Sequence, residues 1–225
     1  MKIRAVLFDL HGTLAQLVDP VTDEQASEVL VAHGHEVYPQ AIDAARRYVF
    51  FVDYPKHGYG TWEAYAGRVL DRLDVIPDEQ TSREFVKLHA GARWSLYSDA
   101  GDVLARAKDE GLRTAVVTTI PEFMYREALE PVADKIDLIV DGYTFRCEKS
   151  NPRIYLQTLN ALEVRAPEAL MIGDEVGLDV ALPTRLGMRA ILLERPGKVS
   201  AKDEIQPDAV VKDLNGAMDV VSAWL

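Results

Sequence analysis

Cysteine is nearly absent. Cys147 is the one thiol in 225 residues, which excludes an internal disulfide and a thiolate zinc cluster and agrees with a reducing compartment. Also missing is any apolar run of the roughly 20 residues that a membrane-spanning helix requires. No low-complexity tract or internal repeat interrupts the chain. Positive charge is scarce: 25 Lys and Arg stand against 36 Asp and Glu, for a net charge of -11. That balance argues against nucleic acid or an anionic membrane as partner. The opening residues, Met1 to Phe8, reach Asp9 too soon to form a secretory signal, so a cytoplasmic location is the expectation.

What the chain has is hydrophobic residues, 48% of the total, enough for a sizeable core without covalent staples. The length suits one large domain or a core with a smaller insertion. Residues 3–7 form a short run that is apolar apart from Arg4 and ends at Asp9-Leu10-His11-Gly12-Thr13, the pattern of a strand buried on both faces of a parallel sheet. From about 15 to 95 four helical stretches follow with no strand between them: 23–33, ended by Gly34; 40–52; a third after the N-cap Thr61, running to 73; and a fourth from Pro77 to about 93. Beyond 97 the pattern alternates. Helices are expected at 102–110, 122–130, 152–162, 178–186 (kinked by Pro183) and 215–224. Strands are expected at 113–117, 136–140, 169–172, 189–193 and 209–211. Alternation of this kind builds a parallel sheet covered by helices. The fold class is therefore α/β, a Rossmann-like core of residues 1–14 and 97–225 carrying a helical insertion at 15–96.

Ligands of open parallel sheets bind beyond the carboxyl ends of the strands, so the polar residues just after each strand are the candidates. They are Asp9, His11 and Thr13 after the first strand, then Thr118 and Thr119, then Lys149, and finally Asp174, Glu175 and Asp179. Asp9 and Asp174 can share one hard cation through oxygen, the donor magnesium prefers. Thr118 and Lys149 offer a hydroxyl and a point charge to an anion. An acidic protein that binds a phosphate ester needs such local positive charge, and the set fits phosphoryl transfer, where positioning and neutralisation carry most of the rate. The insertion would stand over this edge, where a lid belongs. Its aromatic run (Tyr48, Phe50, Phe51, Tyr54, Tyr59, Trp62 and Tyr65) reads chiefly as packing among helices, with an apolar wall facing the substrate as the functional alternative. Arg46, Arg47, Arg68 and Arg72 read as solvated helix faces. His33, His35, His57 and His89 have no metal-ligand spacing.

Four of these segments, in order, carry a family resemblance. Phe8-Asp9-Leu10-His11-Gly12-Thr13-Leu14 resembles the first motif of the haloacid dehalogenase superfamily, Asp-x-Asp-Gly-Thr after a strand. Val117-Thr118-Thr119 is similar to its second, a Ser or Thr ending a hydrophobic strand. Lys149, ahead of Asn151-Pro152-Arg153, is similar to the third, and Gly173-Asp174-Glu175 with Asp179 downstream to the fourth. The insertion matches the position of the helical cap in one branch of that superfamily. The resemblance implies a hydrolase in which Asp9 forms an aspartyl-phosphate that water then cleaves. It implies magnesium held by Asp9, the backbone carbonyl of His11 and Asp174, with Asp179 or Glu175 holding the metal's waters. Thr118, Thr119 and Lys149 would bind the phosphoryl oxygens, with Thr13 in support.

One position departs from the motif. Phosphatases of the superfamily usually carry a second Asp two residues after the nucleophile, and here that residue is His11. Imidazole can serve as acid or base, but near a cation it favours its neutral form and is a poorer acid for an alkoxide. A substrate with a good leaving group, such as an acyl phosphate, would need less acid help. The expected activity is magnesium-dependent hydrolysis of a small phosphorylated metabolite, with Asp9 and His11 as the catalytic pair. The alternatives are metal-independent hydrolysis of a carbon–halogen bond, as in 2-haloacid dehalogenases, and non-catalytic binding of a phosphorylated ligand or a protein. The acidic Gly173-Asp174-Glu175 segment favours the phosphatase.

Overall fold

The structure is a computed structural model and describes residues 2–196 and 205–225. In chain order the elements are β1 (Ala5–Phe8), β2 (Ala15–Leu17), α1 (Asp23–Ala32), α2 (Pro39–Tyr48), α3 (Tyr54–His57), α4 (Trp62–Arg72), α5 (Glu79–Ala90) and β3 (Trp94–Leu96). They continue with α6 (Ala100–Asp109), β4 (Arg113–Val117), α7 (Glu122–Leu129), β5 (Leu138–Val140), α8 (Arg153–Ala161), β6 (Ala169–Gly173), α9 (Leu182–Arg185), β7 (Arg189–Leu193), β8 (Ala209–Val211) and α10 (Leu214–Ala223). Six strands form one sheet in the order β5-β4-β1-β6-β7-β8, and every pairing in it is parallel.

The apolar run that predicts a buried strand is the centre of this sheet. All four residues of β1 are buried, and successive side chains alternate between faces as strand geometry requires. Val6 and Phe8 pack with Val103 and Leu104 of α6 and Ala217 and Met218 of α10. Ala5 and Leu7 pack on the other side with Ile154, Tyr155 and Leu159 of α8. Truncating a side chain in such a two-sided core costs about 3–5 kcal/mol. The chain runs from β1 to β4 on one side and on to β6 on the other, so the end of β1 lies where the strand order reverses. Such a switch point opens a crevice at the sheet's carboxyl edge.

The insertion leaves and re-enters the core at one place. β2 and β3 pair antiparallel, Ala15 opposite Leu96 and Leu17 opposite Trp94, and α1 to α5 lie between them with a core of their own, including Leu30, Ile42, Tyr65, Val69 and Phe85. Local signals set the helix starts. Thr22 and Gln25 form a reciprocal capping box, and Thr61 and Asp78 cap α4 and α5 by accepting from the amides of Ala64 and Thr81. The insertion rests on the core through α7, whose Phe123 and Met124 pack against its cluster, and through Tyr54, whose hydroxyl donates to Asp141 Oδ2. Asp141 in turn accepts from the amides of Tyr143 and Thr144.

Three features differ from the sequence reading. The segment 15–96 does contain strands, but β2 and β3 have three residues each, too few to display an alternating pattern. The second helical stretch runs further than expected and changes pitch: α2 continues without a break through a π-helical turn at Val49–Asp53 into α3, which has Pro55 in its first turn. The helix that contains Pro183 starts earlier than expected, as a π-helical turn at Val176–Ala181 that continues without a break into α9, with Pro183 in the first turn of α9. Among the described residues, no helix is long and apolar enough to cross a membrane.

Candidate active site

The predicted residues converge at the carboxyl edge of the sheet. Asp9 follows β1 directly, and its amide donates to the carbonyl of Ile172 in β6 at 2.9 Å. That bond holds the start of the loop against the strand that delivers Asp174. Gly12 then turns the loop back with φ +83°, and a Cβ there would lie 2.0 Å from Asp174 Oδ2. Only glycine gives both the left-handed backbone and the room for that carboxylate. Gly173 makes room for the next acid: a Cβ there would stand 2.2 Å from Asp179 Cγ. Asp179 lies in the π-helical turn after β6 and is fully buried. Its Oδ2 accepts from the Glu175 amide at 3.0 Å. Asp9, Asp174 and Asp179 each offer a carboxylate oxygen within 4.8 Å of the others.

Lys149 enters this group from the loop after β5. Its Nζ lies 2.5 Å from Asp9 Oδ1 and 2.6 Å from Asp179 Oδ1, and the residue is only 3% exposed. Burial works against the lysine's charge, but the carboxylates of Asp179 and Asp9 outweigh it and hold the pKa well above the ordinary value. Burial raises the pKa of Asp9, and Lys149 opposes that rise without cancelling it. The same balance raises Asp179. A buried ammonium and carboxylates sharing hydrogen-bond distances stabilise one another's charged forms. Asp9 Oδ2 is buried with no hydrogen-bond partner among the described residues.

These groups form one end of a cavity of about 360 Å³. Asp9, His11, Thr118, Thr119, Lys149, Asp174 and Glu175 line it. Thr118 is buried after β4, and its hydroxyl accepts from the amide of Ile120 at 3.2 Å, which turns that loop over the sheet edge. The His11 side chain is exposed and stands edge-on to Trp94, with ring centroids 5.4 Å apart. Two predicted residues do not face the cavity. Thr13 is buried beneath the loop, its carbonyl accepting from Arg195 Nη2 at 2.8 Å, and Asp179 lies behind Lys149.

The opposite wall comes from the insertion and includes Arg46, Phe50, Trp62, Tyr65 and His89. The aromatic run thus does both things weighed for it: Tyr65 packs in the insertion's core and also borders the cavity. Arg46 is not a freely solvated charge. It lines the cavity and donates to Asp23 Oδ1 at 2.8 Å. His89, unremarkable by spacing, is 2% exposed. A helical-wheel signal for both exists: Arg46 is four residues after buried Ile42, and His89 follows buried Thr81 and Phe85 at intervals of four.

A family model described as haloacid dehalogenase-like hydrolase matches residues 3–184. A phosphoserine phosphatase from Thermus thermophilus is 32% identical over 94% of this chain and 89% of its own length. A ribulose-1,5-bisphosphate 5-phosphatase from Halopiger xanaduensis is 25% identical over 96% and 95%. Among solved structures, a 2-haloacid dehalogenase from Pseudomonas syringae pv. Tomato superposes with a TM-score of 0.73 at 22% identity, covering 99% of this chain and all of that one.

Proposed function

Since the chain belongs to the haloacid dehalogenase-like hydrolase family, we propose that it is a magnesium-dependent phosphatase of a small phosphorylated metabolite, with Asp9 as the nucleophile. The observation that carries this reading is the convergence of Asp9, Asp174 and Asp179 within 4.8 Å, with Lys149 among them, at the end of a cavity between core and insertion. Buried carboxylates this close repel unless cations share them. Hard oxygen donors, with Asp9 Oδ2 lacking a partner among the described residues, fit a magnesium ion. Asp9, Asp174 and the backbone carbonyl of His11 would hold it. When bound, it neutralises charge on the transferring phosphoryl group.

The chain's own residues do the rest. An Asp9 carboxylate oxygen attacks phosphorus, the ester P–O bond breaks, and its electron pair leaves with the alcohol oxygen. Water then attacks the same phosphorus, the Asp9–phosphorus bond breaks, and the carboxylate is restored with release of phosphate. Lys149 and the Thr118 hydroxyl neutralise and orient the phosphoryl oxygens, with the backbone amide of Thr119 beside them. Asp179 keeps Lys149 charged and in place. His11, at the cavity's exposed side, is the group available to give the alcohol oxygen its proton and to take one from the attacking water.

His11 and the aromatic wall favour a second reading, hydrolysis of a carbon–halogen bond by the same Asp9. That chemistry gives the three converging carboxylates no task. One assay separates the two: phosphate release from a panel of alkyl and acyl phosphates, and halide release from haloacids, each with magnesium or a chelator, for the wild type and Asp9→Asn. The account predicts magnesium-dependent phosphate release that falls by at least ~10³-fold in the variant. Halide release that ignores the chelator would overturn it.

A further inference from the structure

The wall opposite Asp9 holds polar atoms that the phosphoryl chemistry does not use. Tyr65 is 1% exposed and His89 is 2% exposed, and both line the cavity. Among the described residues His89 Nε2 has no hydrogen-bond partner, and the Tyr65 hydroxyl has none that takes its proton, because its neighbour Arg46 can only donate to it. Their rings meet edge to face at 5.6 Å. A buried, unmatched hydroxyl or imidazole nitrogen costs about 1–3 kcal/mol, so each such atom in a native cavity wall asks for the group that satisfies it.

Donor and acceptor roles here can be assigned. His89 Nδ1 lies 2.8 Å from the carbonyl of Phe85. A carbonyl only accepts, so Nδ1 carries the proton. Burial lowers the pKa of this ring to about 4, which leaves it neutral near pH 7 and makes Nε2 a bare acceptor. Burial raises the pKa of the Tyr65 phenol, so it keeps its proton and can donate. The Arg46 guanidinium stands beside it, but its charge is met by Asp23 at 2.8 Å and its Nη1 also donates to the Val21 carbonyl. The wall therefore offers one acceptor and one donor without surplus positive charge. A carboxylate would face the Nε2 lone pair, and an ammonium group would face Arg46. An alcohol hydroxyl matches both atoms: its O–H points to Nε2 while its oxygen accepts from Tyr65.

Building on the phosphatase reading, we infer that Tyr65 and His89 recognise a hydroxyl on the alcohol part of the ester, so the substrate class is a phosphorylated polyol or sugar. A site built to hydrogen-bond a substrate hydroxyl discriminates strongly against the analogue that lacks it.

The test compares kcat/KM for glycerol 3-phosphate and for n-propyl phosphate with magnesium, in the wild type, Tyr65→Phe, His89→Phe and His89→Gln. The expected preference for the hydroxylated ester in the wild type is about 10²-fold or more. It collapses toward one in Tyr65→Phe and His89→Phe and is partly kept in His89→Gln, whose amide oxygen can still accept. The ratio is independent of the active fraction, so a variant that folds poorly still reports it. A wild-type ratio near one, or a ratio unchanged in both phenylalanine variants, would overturn the inference while leaving the phosphatase reading intact. If neither ester releases phosphate, the phosphatase reading is judged on the full panel of alkyl and acyl phosphates. The hydroxyl site is then read from the rise in Tm that each ester produces: a larger rise with glycerol 3-phosphate supports it, and equal rises refute it.

Discussion

At the scale of single residues, the site depends on buried groups whose charge state is set by neighbours. Lys149 is held as a cation by two carboxylates, while His89 is held neutral chiefly by burial, with the Arg46 charge acting in the same direction and the Phe85 carbonyl opposing it. The second case has a measurable consequence. The ordinary histidine value is 6.5 and the folded value about 4, so between these pH values the unfolded chain binds a proton that the folded chain does not. Stability from this residue is therefore complete above about pH 6.5 and is lost as pH falls toward 4. The loss is on the order of 3 kcal/mol. Urea unfolding at pH 7 and pH 4.5 should show a smaller acid-induced loss for His89→Phe than for the wild type. An equal loss in the two proteins would mean that His89 is not held neutral in the folded state.

At the scale of elements, the strands and their ends were legible in the sequence and the insertion's details were not. A central parallel strand is apolar at every position, so β1 and β6 stand out, and the residue that ends each run is the one with chemistry. Gly12 and Gly173 are legible in hindsight, each beside a carboxylate that needs its room. β2 and β3 carried no pattern because three residues cannot show one, and the π-helical turns carried none because their composition is helical. Arg46 reads as a solvated face because the sequence shows which helix face is polar but not what stands opposite it, and the absence of metal-ligand spacing around His89 says nothing of the cavity it lines. The turn at Gly12 gives a prediction at this scale. Gly12→Ala forces a Cβ toward Asp174 Oδ2, 2.0 Å away, on a backbone with φ +83°. The variant should lose about 1 kcal/mol or more of stability and at least ~10²-fold in phosphate release. Near-normal turnover would mean that Asp174 need not occupy the position seen here.

At the scale of the whole molecule, two bodies of packing meet over one cavity. The core supplies the carboxylates, Lys149 and Thr118, and the insertion supplies the opposite wall through Arg46, Tyr65 and His89. The proposed chemistry and the proposed selectivity thus belong to different stretches of chain, joined by the β2–β3 pair and the Tyr54–Asp141 hydrogen bond. The central claim is that phosphorus becomes covalently attached to Asp9. The most direct measurement is acid quenching during turnover of a phosphate ester, followed by mass spectrometry of the peptide that contains Asp9. The account predicts one added phosphoryl group on Asp9, present with magnesium, absent with a chelator and absent in Asp9→Asn. Steady phosphate release with no adduct on that peptide, or with the adduct on another residue, would contradict it.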